Sequence, residues 1–192
     1  MKKPAIPIDE AARISSLRAL QILDSYPEDR FDRVPTLAKQ IFDVDICLIS
    51  LEDSHRQWFK SRQGLDATET RRDISFCGHA ILDDAVLYVE DAAEDERFHD
   101  NPLVTEDPDI RFYAGRPIKA PEGQRIGTLC LIDRAPRTLS NKELEILDDL
   151  ARMVEEEFVT LAQSSVDELT QLINRRGFFT VASHVQPLCE RL

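Results

Sequence analysis

Two cysteines and a histidine are the side chains of this sequence best placed to do chemistry. Cys77 and His79 flank Gly78 in the run ISFCGHAIL, and Cys130 lies in RIGTLCLID. Thiol and imidazole together can hold a metal, move a proton or attack an electrophile. A zinc site wants four ligands in a tetrahedron. Cys77, His79 and one distant cysteine supply at most three, so no metal is expected. A free cysteine is more often a small buried hydrophobe. His79 can hydrogen-bond a ligand or the backbone, and its charge can change near neutral pH. Cys47, Cys77, Cys130 and Cys189 are scattered with no CxxC pair, which suits reduced thiols in a cytoplasmic protein.

Other side chains could wall a pocket. Trp58, the single tryptophan, either fills core or lines a ligand site. Arg111, Phe112 and Tyr113 follow one another on an expected strand, so either Phe112 alone or Arg111 with Tyr113 points between sheet and helices. Asp133 and Arg137 suit a strand-to-helix turn. The acidic stretch 90–109 contains Pro102 and Pro108 and reads mostly as loop.

The elements that must position these residues are legible from periodicity. A helix is expected over 9–23, capped by Asp9 and buried through Ile14, Leu17 and Leu20. A second is expected over 30–42, with Phe31, Val34, Leu37, Ala38 and Ile41 on one buried face. The pattern then changes. Strands are expected near 46–51, 57–62, 86–90, 111–118 and 125–133, with a short helix at 74–82. Strands in this order, with helices grouped at the ends, predict an antiparallel sheet in an α+β domain, with 9–23 and the helix from 140 on one side.

The run SNKE at 140–143 is a capping box, in which Ser140 and Glu143 satisfy each other's backbone N–H. Behind it Leu144, Leu147, Ala151, Val154, Phe158 and Leu161 step by three and four. That stripe either packs on its own domain or forms a seam with a second copy, and the seam is the expectation here.

The net charge is -12, with 42% hydrophobic and 31% charged residues in a chain of 192. A field of that sign repels nucleic acid and anionic membranes, so neither is an expected partner. The N-terminus shows no secretory signal, and no apolar run approaches the roughly 18–20 residues needed to span a bilayer.

Four longer strings carry a family resemblance: DISFCGHAI (73–81), DERFHDNPLV (95–104), IRFYAGRPI (110–118) and IGTLCLIDRAPRTLS (126–140). Through them the chain from Ile8 to about Val166 resembles a GAF domain, specifically the GAF sensors that precede bacterial signalling output domains. The resemblance implies a five- or six-stranded antiparallel sheet flanked by helices, ending in a long signalling helix. It also implies a pocket between the sheet and the 74–109 segment, with 90–109 as its lid. Trp58, Phe76, Cys77, His79, Arg111, Tyr113 and Cys130 are its candidate ligand-binding residues.

DELTQLINRRGF at 167–178 is similar to the opening of a GGDEF domain, the catalytic unit of diguanylate cyclases. The namesake turn of that family is absent. The expected organisation is a GAF sensor over 1–139, a signalling helix over 140–166 and the start of a GGDEF domain over 167–192. The chain is then a regulatory module without catalysis of its own. It would bind an unidentified small molecule and pair as a parallel homodimer, and its residues identify no cofactor. One alternative is a thiol-dependent free methionine sulfoxide reductase using Cys77 and Cys130. Another is a ligand-free dimerisation scaffold.

Overall fold

The computed structural model describes residues 1–163, so the expected domain opening at 167–192 lies outside the described residues. Six strands form one sheet in the order β3-β2-β1-β6-β5-β4. They are β1 Ile46–Glu52, β2 Arg56–Gln63, β3 Glu69–Arg71, β4 Leu87–Val89, β5 Phe112–Lys119 and β6 Arg125–Asp133. Every neighbouring pair is antiparallel. Five strands match the expected runs. The sixth, β3, is a three-residue edge with no alternating apolar pattern to announce it.

Strand alternation divides the sheet into two faces. From β1, Cys47, Ile49 and Leu51 point to one face. Ile46 and Leu48 point to the other. The first face is covered by α1 Glu10–Ala19, α2 Asp29–Phe42 and α5 Asn141–Gln163, which share one apolar core with it. The second lies under two short helices, α3 Phe76–Ala80 and α4 Pro102–Thr105, and their connecting loops. The N-terminal helix and the helix from 140 therefore share a side, as expected.

The helices depart from the sequence reading in three places. In α1 the helix stops at Ala19, because Gln21 takes a left-handed φ of 49°. Asp9 precedes it without a side-chain cap, and Leu17 and Leu20 are buried as expected while Arg13 takes the buried place expected of Ile14. In α2 the buried set is Phe31, Val34, Pro35, Ala38 and Phe42. Leu37 and Ile41 are 44% and 48% exposed. At about 100° per residue Leu37 falls roughly 240° round from Phe31, off the buried face.

The third departure concerns α5. Its capping box forms as expected: Ser140 N donates to Glu143 Oε2 at 2.7 Å, and Glu143 N donates to Ser140 Oγ at 3.3 Å. The stripe behind it is not an open seam. Leu147, Ala151, Val154, Phe158 and Leu161 are buried inside this subunit, with Leu150 beside them, and Leu144 is half-buried at the start. Phe158 meets Phe31 of α2 with ring centroids 5.6 Å apart. A face that packs across a sheet and an a/d seam differ by only about 20° of drift per heptad, too little to separate over this length.

Candidate functional site

The second face of the sheet holds the candidate site. The run from 72 to 80 folds as a short 3₁₀ turn, Arg72–Ile74, and then α3. Ser75 starts the helix by accepting from Gly78 N at 2.9 Å. This fixes Cys77 on the side toward the sheet. Four residues of α4 rest on Asn101, whose side chain accepts from Leu103 N and donates to the Ile74 carbonyl, both at 2.9 Å. Asn101 thus ties the 90–109 segment to the start of α3.

Between these elements and the sheet lies a cavity of about 140 Å³, walled by Leu48, Phe59, Phe76, Ile110 and Ile132 among others. Phe76 stacks on Phe98 at 4.0 Å and tilts against Tyr113 at 5.1 Å, which stiffens one wall. Gln57, Thr70, Cys77 and Tyr113 make its polar end. Asp107, at the rim, is the one charged lining group among the described residues.

The polar end is a closed hydrogen-bond chain. Thr70 Oγ1 donates to Gln57 Oε1 at 3.2 Å, which turns the Gln57 amide so that Nε2 donates to Ser50 Oγ at 2.8 Å and Cys77 Sγ at 2.9 Å. Tyr113 Oη donates to the same sulfur at 3.2 Å. Cys130 Sγ lies behind it at 3.9 Å. Burial alone would raise the Cys77 thiol. The hydrogen bonds converging on it, Cys130's first, outweigh burial and lower it below the usual thiol range. Cys130 moves the opposite way, raised by its bond to Cys77 and by burial. Tyr113 is pushed well up by burial and so remains a neutral donor. The Thr128 hydroxyl, fully buried beside this group, has no hydrogen-bond partner.

Tyr113 owes its position to a glycine. A Cβ built on Gly115 would sit 2.1 Å from the Tyr113 hydroxyl. The phenol therefore lies back along its own strand, over a residue that has no side chain.

Glu52, fully buried at the end of β1, extends the polar group. Its Oε1 accepts from Ser75 Oγ at 2.7 Å. Its Oε2 has no hydrogen bond, and Arg72 Nε stands 3.8 Å away. Burial raises the Glu52 carboxyl to about 8, the Cys77 charge adds to this, and Ser75, Arg72 and Arg13 work against it. Both arginines are committed to Glu10, at 2.5 Å for Arg72 and 2.7 Å for Arg13. Burial works against the Glu10 carboxyl, yet the two guanidiniums bring it down to about 2.

The structure brings together four of the seven expected pocket residues. Phe76, Cys77 and Tyr113 line the cavity, and Cys130 supports Cys77 from the sheet. The other three stand elsewhere. His79 is two residues beyond Cys77, about 200° round the helix. It points outward, with Nε2 at 2.9 Å from the Lys2 carbonyl and its ring edge-on to Phe98. Burial lowers its pKa. Trp58 alternates with Gln57 and Phe59 and so enters the helical core on the opposite face. Arg111 precedes β5 and turns to the loop, donating to the Val104 carbonyl at 2.9 Å and pairing with Asp109 at 2.7 Å. Gln57, Thr70, Ser50 and Glu52 were not anticipated. The available signal was alternation: Ser50 and Glu52 continue the Ile46–Leu48 face of β1, placing polar groups where apolar ones were expected.

An antiparallel sheet with its long helices on one face and a small cavity under short elements on the other defines a recognisable type of α+β domain. The family comparison agrees. A model of the GAF domain matches residues 27–158, and the chain belongs to that family. Its fold is shared with the GAF domain of an Acinetobacter phosphoenolpyruvate-protein phosphotransferase. That match has a TM-score of 0.60 and 20% identity, covering 80% of this chain and 96% of that one. It is shared equally with a free methionine-R-sulfoxide reductase from Neisseria meningitidis, solved with its substrate. Here the TM-score is 0.59 at 18% identity, covering 85% of this chain and 99% of that one. In sequence the chain is 41% identical over 177 residues to a cyclic di-GMP phosphodiesterase of Pseudomonas aeruginosa. That stretch is 91% of this chain and 30% of the relative's length. No helix among the described residues is long and apolar enough to cross a membrane.

Proposed function

We propose that this GAF domain is a ligand-sensing module that controls an output domain in cyclic di-GMP signalling. The observation that carries the reading is the cavity of about 140 Å³, apolar except at one end. A cavity of about 150 Å³ holds a benzene-sized molecule. The ligand class is therefore a small molecule of roughly six to nine heavy atoms. With no cationic group in the lining and its single carboxylate, Asp107, at the rim, the ligand is not an anion, and its buried part is neutral with one polar end for Gln57, Thr70 and Tyr113. A cyclic nucleotide is both too large and too anionic for it.

β5 offers a route from pocket to output. It carries Tyr113 on the cavity side and grips α5 on the other. Arg116 pairs with Asp148, and Lys119 N donates to Glu155 Oε1 at 2.8 Å. A ligand that favours one position of Tyr113 would favour one seating of α5 on the sheet. The similarity to a cyclic di-GMP phosphodiesterase and the GGDEF-like opening at 167 both support an output domain that makes or breaks cyclic di-GMP. Under this reading the chain itself is not an enzyme. It pairs as a parallel homodimer through a surface other than the buried α5 stripe.

Native mass spectrometry of the purified protein tests the ligand directly. The expected result is a bound neutral mass that is lost in a cavity-filling Leu48→Trp variant. A clean apo mass, together with no thermal shift from small neutral alcohols, ketones or aromatics, would sink it. Incubation with GTP and a divalent metal should give no cyclic di-GMP above background.

A further inference from the structure

We propose that Cys77 and Cys130 are a peroxide-operated dithiol, with Cys77 the attacking thiolate and Cys130 the thiol that closes the disulfide. Nothing in the ligand-sensing reading requires this, and it stands on a different set of distances. Donors converge on one sulfur: Gln57 Nε2 at 2.9 Å and Tyr113 Oη at 3.2 Å. A thiolate is stabilised by such a cage, while a neutral thiol gains little from it. Cys130 Sγ sits 3.9 Å behind, on the central strand β6. A disulfide needs about 2.05 Å, so the sulfurs must close by roughly 2 Å. α3 carries Cys77 on a single short turn, which makes that approach local.

The cavity supplies the route. Cys77 is 1% exposed, yet it lines a space whose rim includes the exposed Ala67 and Asp107. A hydroperoxide is small enough to enter, and a disulfide-exchanging protein thiol is not. Cys47 is a built-in control. It is equally buried, on the helical face of the sheet, and burial raises its thiol well above the usual range.

The steps balance with the hydroperoxide as oxidant. The Cys77 sulfur attacks the terminal oxygen, an S–O bond forms and the O–O bond breaks. The departing oxygen leaves as an alcohol, or as water from hydrogen peroxide, taking up the thiol's proton. This leaves a sulfenic acid on Cys77. The Cys130 sulfur then attacks Cys77, the S–S bond forms, and the S–O bond breaks to release water with the Cys130 proton. Two thiols are oxidised by two electrons in total and one peroxide is reduced. The disulfide removes the sulfur that Gln57 and Tyr113 hold, so the polar end of the cavity is rebuilt.

The test uses the full 192-residue chain, fully reduced, with hydrogen peroxide or tert-butyl hydroperoxide. After quenching and alkylation under denaturing conditions, cysteine peptides are identified by mass. A Cys77–Cys130 disulfide forming while Cys47 stays alkylatable is expected. In Cys130→Ser, a diketone probe should trap sulfenic acid on Cys77. Tyr113→Phe should keep the fold and slow the reaction by about tenfold, through loss of one donor. The proposal is overturned by any of three results. One is no loss of Cys77 thiol at peroxide levels that oxidise a free model thiol. Another is oxidation of Cys47 at the same rate. The third is a disulfide of Cys77 with any other cysteine. These readouts are masses of covalent products, so they stand or fall independently of whether a ligand binds.

Discussion

The two faces of one sheet have been given opposite chemistry by the same strands. On the helical face β1 offers Cys47, Ile49 and Leu51 to three helices. On the other face the same strand offers Ile46 and Leu48, and then Ser50 and Glu52, to two short helices and loops. The first arrangement buries mostly hydrocarbon, its chief charged group being Lys60, which pairs with Glu28 at 2.6 Å over the Phe31 ring. The second buries a carboxyl, an amide, a phenol and two thiols, each of which costs free energy unless it is paired. A domain gains stability from the first kind of face. The second kind is retained for what its polar groups do, and the two buried side-chain oxygens without a hydrogen bond among the described residues, on Glu52 and Thr128, both belong to it.

If that division is right, the largest stability loss should come from the helical face. Phe158 is fully buried against Phe31, and both belong to the core between α5, α2 and the sheet. Phe158→Ala should cost about 3–5 kcal/mol in urea unfolding, from lost burial plus the cavity left behind. A loss below about 1 kcal/mol would mean that α5 is only loosely seated. It would restore the idea of an open seam.

Next in size is a pH effect confined to the pocket face. The folded-state carboxyl of Glu52 is raised from 4.5 to about 8, first by burial and then by Cys77. An acid raised on folding contributes stability below its unfolded value and loses that contribution as pH rises through its folded value. The Glu52 contribution should therefore be lost between about pH 5 and pH 8, by up to a few kcal/mol, while Cys77, lowered on folding, works in the opposite direction as it ionises. Glu52→Gln, which keeps a partner for Ser75, should flatten that slope. An unchanged slope in the variant would show that Arg72 and Arg13 hold Glu52 ionised.

How much of this contrast was legible in the sequence differs between the faces. The helical face was largely readable, because amphipathic period and the SNKE cap are local signals. Its errors were Ile14, Leu37 and Ile41, placed a step off the buried helix faces, and the destination of the α5 stripe, since spacing alone does not say whether a helix meets its own sheet or a second copy. On the pocket face, Phe76, Cys77, Tyr113 and Cys130 were found because a family resemblance pointed there. His79, Trp58 and Arg111 were misplaced because residue type was allowed to stand for direction. A step of two reverses a helical residue's face, a step of one reverses a strand residue's, and a residue just before a strand obeys neither rule. Gln57 and Glu52 were missed because the sequence reading gave no direction to the polar residues within the apolar strands.

A subtler disturbance of the pocket face is Gly115→Ala. Its added methyl would overlap the Tyr113 hydroxyl at 2.1 Å. Tyr113 is fully buried, so the ring must move or the strand must shift, at a cost of about 1–3 kcal/mol. The more telling result is chemical. Tyr113 would withdraw its hydrogen bond from Cys77, and the Cys77 thiol pKa should rise. Thiol titration by absorbance at alkaline pH would show it. A Cys77 pKa unchanged in this variant would mean that Tyr113 is not among the groups that hold the thiolate.

The smallest expected effect tests whether the two faces can be separated at all. Ser140→Ala removes one half of the capping box while touching neither the core nor the cavity. The Glu143 backbone N–H would lose its acceptor at 3.3 Å, and Glu143 Oε2 would lose the Ser140 hydroxyl at 2.7 Å. A helix cap of this kind contributes about 1 kcal/mol. The Glu143 carboxyl, held below its usual range first by the Ser140 hydroxyl and then by the Ser140 backbone, should titrate closer to normal. Because α5 also joins the sheet through Arg116–Asp148 and Glu155, fraying should stop within its first turn. Unfolding free energy should then fall by about 1 kcal/mol, while peroxide reactivity at Cys77 stays at its parent rate. If Cys77 reactivity changes as well, the start of α5 and the pocket are mechanically linked. The sheet between the two faces would then be the element that transmits.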